Sequence, residues 1–172
     1  MLAKALRGAP SQQILDVGAG TGRDAAAMAV LGHTVTAVEP SEQKRRLARA
    51  LHPQAHVTWI KDALPNLTTL NGRTGQFDLV VVSAIWMHIH PGDREAAMER
   101  LADLTKPGGE IYLTLRLAPS EPARSIYAVP EDEVNRLAGA LGLTVADAGE
   151  QPDLLGRPNI RWRTVRLSKP ST

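Results

Sequence analysis

Residues Ile14-Leu15-Asp16-Val17-Gly18-Ala19-Gly20-Thr21-Gly22 decide the fold. A short apolar strand over Gln13–Val17 runs directly into three glycines, and the alanine-rich stretch Arg23–Leu31 follows with a helical pattern. Glycine is needed where a turn takes positive φ and where a ligand lies against the backbone. Strand, glycine loop and helix in this order open a parallel α/β sheet. Its ligand site lies beyond the carboxyl ends of the strands, where the strand order reverses.

Outward from that loop, strand and helix patterns alternate. Gly32 suits the left-handed end of the first helix. Thr34–Val38 is a β-branched second strand, and Ser41 can cap a helix over Glu42–Leu51 that Pro53 keeps from extending. Ala55–Ile60 reads as the third strand. Leu64–Gln76, with Pro65, Gly72 and Gly75, is an irregular connection, and Phe77–Ser83 is the fourth strand. Asp93 is placed as the cap of a helix over Arg94–Thr105, and Lys106-Pro107-Gly108-Gly109 as a turn before a fifth strand, Glu110–Leu117. A proline-bearing loop, Ala118–Pro130, leads to a helix over Glu131–Leu141. Leu143–Ala146 and Ile160–Leu167 are the last two strands. The fold class expected is α/β: a Rossmann-like, seven-stranded, mostly parallel sheet with helices on both faces. The last strand should be antiparallel, because only a loop joins the final pair. With no internal repeat or low-complexity tract, residues 1–172 read as one domain.

Composition narrows the function classes. A chain of 172 residues, 43% apolar and 22% charged, can bury a core of ordinary size. The apolar stretch Val80–Ile89 is too short for a bilayer and is interrupted by Ser83 and His88. Met1–Pro10 lacks the apolar core of a signal peptide. The absence of cysteine excludes a disulfide framework, a thiolate metal site and a cysteine nucleophile, and fits a cytoplasmic protein. The formal net charge is only +2, the basic residues are scattered, and there are three Trp, two Tyr and one Phe. Neither a strong phosphate-binding field nor a base-stacking platform follows from that. The expected partner is a small molecule, with no nucleic acid and no membrane.

Glu39, at the end of the second strand, has the spacing of an acid that accepts ribose hydroxyls. A nicotinamide dinucleotide would fit that far. The Gly-x-Gly-x-x-Gly pattern counted from Gly18, however, ends on Arg23, and Asp16 stands at the mouth of the loop. A pyrophosphate there would meet like charge, whereas an ammonium or sulfonium would be attracted. S-adenosylmethionine carries both cations and no phosphate.

Behind the Asp16–Gly22 loop come Val38-Glu39-Pro40-Ser41, Lys61-Asp62-Ala63-Leu64, Phe77-Asp78-Leu79-Val80 and Leu101…Lys106-Pro107-Gly108-Gly109. With these pieces in this order, residues 13–143 resemble the class I S-adenosylmethionine-dependent methyltransferases. A looser likeness is to small bacterial enzymes of the tellurite-resistance type. The resemblance implies that Asp16, Gly18, Ala19 and Gly20 face the methionine part of the cofactor and that Glu39 takes both ribose hydroxyls. It implies that Pro40 and Leu64 sandwich the adenine beside Ala63, with Asp62 accepting from the exocyclic amine, and that Ser83 and Ala84 line the methyl end. Asp62 also reads as a turn or cap residue, and Gly22 as a helix–strand packing position. Asp24 is either a cofactor contact or a charge favoured in a helix's first turn. Arg23 beside it reads as exposed or ion-paired.

Methyl transfer is an in-line displacement that depends on positioning, and a base is needed only if the acceptor must lose a proton. Candidates follow the fourth and fifth strands. Trp86 is either a wall of the pocket or a packed tryptophan. His88 is either a general base or a structural histidine, and His90 before Pro91 reads as exposed. The His88-x-His90 pair lacks a third ligand nearby, so no metal is expected. Arg116 would face an anionic acceptor, or pair elsewhere. Tyr127 reads as part of a lid or as packed in its loop. Met1–Gln12 is short for a segment covering the acceptor, which leaves the site open, closed by Ala118–Pro130, or completed by a second subunit in a homodimer. The leading expectation is methyl transfer to a small molecule. The rivals are a non-catalytic cofactor-binding module, a methyltransferase acting on protein or RNA, and a nicotinamide oxidoreductase.

Overall fold

Ile14 and Leu15 point to opposite faces of one sheet, and the same alternation continues through Leu79 and Val80 in the neighbouring strand. Each of these side chains is buried, so strands β1 (Gln13–Val17) and β4 (Phe77–Val82) lie between two layers of cover. The computed structural model describes residues 6–171. Its sheet is seven-stranded in the order β3-β2-β1-β4-β5-β7-β6. The remaining strands are β2 (Thr34–Val38), β3 (Val57–Ile60), β5 (Thr105–Leu117), β6 (Thr144–Pro152) and β7 (Arg161–Ser168). β3, β2, β1, β4 and β5 pair in parallel, and β7 runs antiparallel to both β5 and β6. This is the architecture expected, with the reversed last strand in place.

Helix α1 (Arg23–Val30) buries Ala25 and Met28 against Ile14, Val35, Leu79 and Val81 on one face. Helices α3 (Arg94–Leu104) and α4 (Glu133–Ala140) bury Met98, Leu101 and Leu137 against Leu15, Val80 and Ile111 on the other. Helix α2 (Glu42–Leu51) starts at Ser41, whose hydroxyl accepts the Lys44 amide at 3.3 Å as the cap pattern predicts. Gly22 sits where an added Cβ would come within 3.0 Å of Ala48 and of Trp59, so its small size serves close packing.

Three expectations are corrected. Asp93 holds the N-cap position of α3 as expected but does not cap it through its side chain; a single 3-10 turn, Pro91–Asp93, feeds straight into the helix and the carboxylate makes no cap bond. Lys106–Gly109 is not a free turn, for β5 already begins at Thr105, paired with Phe77, and resumes pairing at Glu110 with Leu79. The extra residues form an irregularity that Gly109 permits, since a Cβ there would lie 3.0 Å from the Asp78 carbonyl. β6 continues past Ala146 to Pro152 as a long hairpin arm with β7, broken by a register shift between Asp147 and Glu150.

Candidate functional site

β2 lies on one side of β1 and β4 on the other, so the strand order reverses there and a crevice opens at the carboxyl ends of the strands. A cleft of about 530 Å³ occupies it. Its walls include Val17 and Gly18 from the glycine loop, Glu39, Pro40 and Lys44 after β2, and Asp62, Ala63 and Leu64 after β3. Ile85, His88, Ile89 and His90 contribute from the segment after β4, and Ser125 and Tyr127 from the loop after β5.

The glycine loop is held by backbone bonds from Gly18 and Ala19 to the Val38 carbonyl, at 2.8 and 3.0 Å. Gly18 has φ +74 and an added Cβ would meet Ile85 Cδ1 at 2.3 Å; here both conformation and space demand glycine. Glu39 is 3% exposed. Its Oε2 accepts the Gly20 amide at 3.0 Å and its Oε1 the Ser41 amide at 2.9 Å, which fixes the carboxylate while each oxygen retains a lone pair.

Asp16 is 2% exposed and its Oδ2 has no hydrogen-bond partner among the described residues. Burial pushes its pKa up to about 7, helped by the nearby charge of Asp24, while Arg23 and the Ala25 amide pull the other way. A buried acid with a free oxygen beneath a glycine loop suits a cationic ligand group and opposes a phosphate. The arrangement fits S-adenosylmethionine.

The other candidates separate into groups. Asp62 accepts the amides of Ala63 at 2.8 Å and Thr69 at 2.7 Å, so it organises the turn at Thr68–Leu70 while also facing the cleft. Burial works to raise its pKa, but the Thr69 and Ala63 hydrogen bonds and Arg100 outweigh it and hold the carboxyl below its ordinary range. Asp24 stands in the first turn of α1 and pairs with Arg23 at 2.9 Å, which is the ion-paired reading of Arg23. Asp16, Ala19, Gly20, Ser83 and Ala84 lie behind or beside the cleft rather than on its lining. Ala84 has φ +57, and its amide donates to Thr114 Oγ1 at 2.7 Å.

On the acceptor side, Trp86 does not wall the cleft. It is fully buried, and its indole N–H donates to Glu133 at 3.1 Å, the partner a buried indole requires. Glu133 in turn pairs at 2.9 Å with Arg94, itself 1% exposed. Arg116 is likewise committed: it donates to the Pro119 carbonyl at 2.9 Å and pairs with Glu121, bracing the loop after β5. His88 and His90 are exposed in the cleft. Sequence reasoning missed Ile85, Lys44 and Ser125 as cleft residues. Only the neighbourhood of Ile85 and Lys44 to identified motifs could have flagged them; nothing local marks Ser125.

The family model of the methyltransferase domain matches residues 14–109, more than half of the chain. The chain belongs to this family. The chain is 29% identical over 127 residues, 73% of its length, to a demethylmenaquinone methyltransferase of Streptomyces avermitilis, of which it covers 52%. It is 32% identical over 120 residues, 68% of its length, to a ubiquinone biosynthesis O-methyltransferase of Xanthomonas campestris, of which it covers 48%. The chain therefore spans about half the length of these curated relatives. Among solved structures, it superposes with TM-score 0.79 on Burkholderia thailandensis 1,6-didemethyltoxoflavin-N1-methyltransferase with bound 1,6-didemethyltoxoflavin and S-adenosylhomocysteine. That match has 22% identity and covers 98% of this chain and 77% of that one. Magnesium protoporphyrin IX methyltransferase of Synechocystis, with S-adenosylmethionine bound, gives TM-score 0.76 at 20% identity, covering 98% and 74%. These structures share the class I fold. No helix among the described residues is long and apolar enough to cross a membrane, and no group of three or more metal-ligating side chains occurs among them.

Proposed function

We propose that this methyltransferase domain moves a methyl group from S-adenosylmethionine to a small-molecule acceptor by direct displacement. The observation that carries the reading is Asp16, a buried carboxyl with a free oxygen under the glycine loop. Such a group favours a ligand with an ammonium over one with a pyrophosphate. Asp16, Gly18, Ala19 and Gly20 would hold the methionine part, and Glu39, already oriented by the Gly20 and Ser41 amides, would accept the ribose hydroxyls. Pro40, Ala63 and Leu64 would flank the adenine, with Asp62 Oδ1 left a lone pair for its amine. Ser83 and Ala84 would stand at the methyl end. When bound, the cofactor supplies an activated methyl group on a sulfonium. The chain's part is to orient it, exclude water and present the acceptor in line. The named activities of the relatives, on quinone precursors and on didemethyltoxoflavin, support a small acceptor.

Calorimetric titration of the protein with S-adenosylmethionine, S-adenosylhomocysteine and NADH tests the reading. Micromolar binding of either of the first two, with none of NADH, is expected. Binding of NADH alone would replace this reading with the oxidoreductase one.

A further inference from the structure

The part of the cleft beyond the proposed cofactor site is built where the Trp86–His88 turn meets the loop after β5. Two bonds join these segments. The Tyr127 amide donates to the Met87 carbonyl at 2.8 Å, and His88 Nδ1 lies 3.1 Å from the Ser125 carbonyl oxygen. A carbonyl oxygen can only accept, so the second contact is a hydrogen bond only when His88 carries its proton on Nδ1. Nε2 then bears the lone pair. Ser125 presents its carbonyl from a left-handed conformation, φ +51, closed by its own amide donating to Pro122 O at 3.0 Å. The positive φ closes the turn bridged by Glu121 and Ile126, and it leaves the Ser125 carbonyl facing the imidazole.

The surroundings of His88 define what it could act upon. Ile85 and Ile89 are apolar, and His90 and Tyr127 pack edge to face with centroids 5.3 Å apart, giving flat walls. Neither nearby arginine is free to hold an anion, since Arg116 is bound to Glu121 and Arg94 to Glu133. Lys44 is the only lysine or arginine among the described residues of the cleft lining, and it stands by Glu39 in the proposed cofactor half. Flat walls without a free cation, with the exposed Asp93 carboxylate beside them, exclude an anion and suit a neutral ring. A neutral amine can attack through its lone pair before it loses a proton, whereas a hydroxyl becomes a good nucleophile only as its proton leaves.

We propose that the Ser125 carbonyl is a positioning group that holds His88 in its Nδ1–H tautomer, and that His88 Nε2 removes the hydroxyl proton of a neutral hydroxyaryl acceptor lying against His90 and Tyr127. The proposal rests on the methyltransferase reading above. The acceptor oxygen gives its proton to Nε2 and an electron pair to the methyl carbon. The carbon–sulfur pair departs with sulfur as a neutral thioether, and the imidazolium returns its proton to solvent.

Long-range proton–nitrogen NMR of the histidine side chains in the free protein, at mildly alkaline pH, reads the tautomer directly. A proton on Nδ1 of His88 is expected. It should persist in Ser125→Gly, which keeps positive φ accessible, and give way to a mixture in Ser125→Pro, which cannot adopt it. A proton on Nε2 in the wild type overturns the proposal. Methyl transfer is then measured with catechol and other hydroxyaryls against aniline. His88→Ala should slow transfer to the hydroxyaryls by ~10²–10⁴-fold with S-adenosylhomocysteine affinity intact, and added imidazole should restore part of the rate. Wild-type rates in His88→Ala, or transfer to aniline and to no hydroxyaryl, overturn the proposal while leaving the cofactor reading intact. Failure of the wild type to bind either form of the cofactor overturns the methyltransferase reading, and this inference with it.

Discussion

The Gly20 amide donates to Glu39 Oε2 at 3.0 Å, so the carboxylate that ends β2 also braces the glycine loop that ends β1. Its other oxygen takes the Ser41 amide at 2.9 Å. One side chain therefore sets the relative position of two neighbouring strand ends. Glu39→Ala should weaken S-adenosylhomocysteine binding by about 1–3 kcal/mol through loss of charge-assisted hydrogen bonds. Titration calorimetry on the folded variant checks this, and unchanged affinity would remove Glu39 from the site.

Asp16 should make both binding and stability depend on pH. Its folded-state pKa of about 7 lies above the ordinary value of 3.8, so the native state binds this proton more tightly than the unfolded chain. The destabilisation is absent below the ordinary value, grows as pH rises, and is complete above about 7. Its limit is on the order of 4 kcal/mol by the linkage relation. Asp16→Asn should thus raise the unfolding free energy of the free protein at pH above 7 and change it little under acid conditions. Cofactor affinity should rise with pH through about 7 in the wild type, as the carboxylate forms, and lose that dependence in Asp16→Asn. Denaturant titrations and calorimetry across the pH range test both statements.

Gly18→Ala and Gly20→Ala should differ. Both positions have positive φ, but an added Cβ at Gly18 runs into Ile85 Cδ1 and Cγ1 at 2.3 and 2.4 Å, whereas at Gly20 the nearest atom is 4.0 Å away. Gly20→Ala should lose about 1–2 kcal/mol of stability from backbone strain alone. Gly18→Ala should lose more, and should also displace Ile85 from the cleft wall. Thermal unfolding ranks the two, and equal midpoints would contradict the packing argument.

Glu133→Ala should destabilise the protein by about 3–5 kcal/mol, because it leaves the Arg94 guanidinium buried without its carboxylate and the Trp86 indole without its acceptor. Pairing Glu133→Leu with Arg94→Met should recover the part of that loss due to the uncompensated charge, while the Trp86 indole still lacks its acceptor. Chemical denaturation of the single and double variants measures the difference.

Much of this was legible in the chain. Alternating apolar strands and amphipathic helices named all seven strands, the glycine loop after Val17 and the acid at Glu39 located the cleft, and Ser41 marked its helix start. These features depend on neighbours within a few residues, where backbone geometry and side-chain period act directly. What the tertiary structure alone decided was which distant partner each polar side chain would take. Trp86 meets Glu133 across 47 residues, and His88 meets the Ser125 carbonyl across 37. Arg116 turns back to Glu121 rather than toward the cleft, and the Lys106–Gly109 segment is drawn into β5 by pairing with β4. A buried polar group must find a partner, but the sequence does not say which one. That choice follows from the packing of whole elements, which brings one set of donors and acceptors within reach and keeps the rest apart.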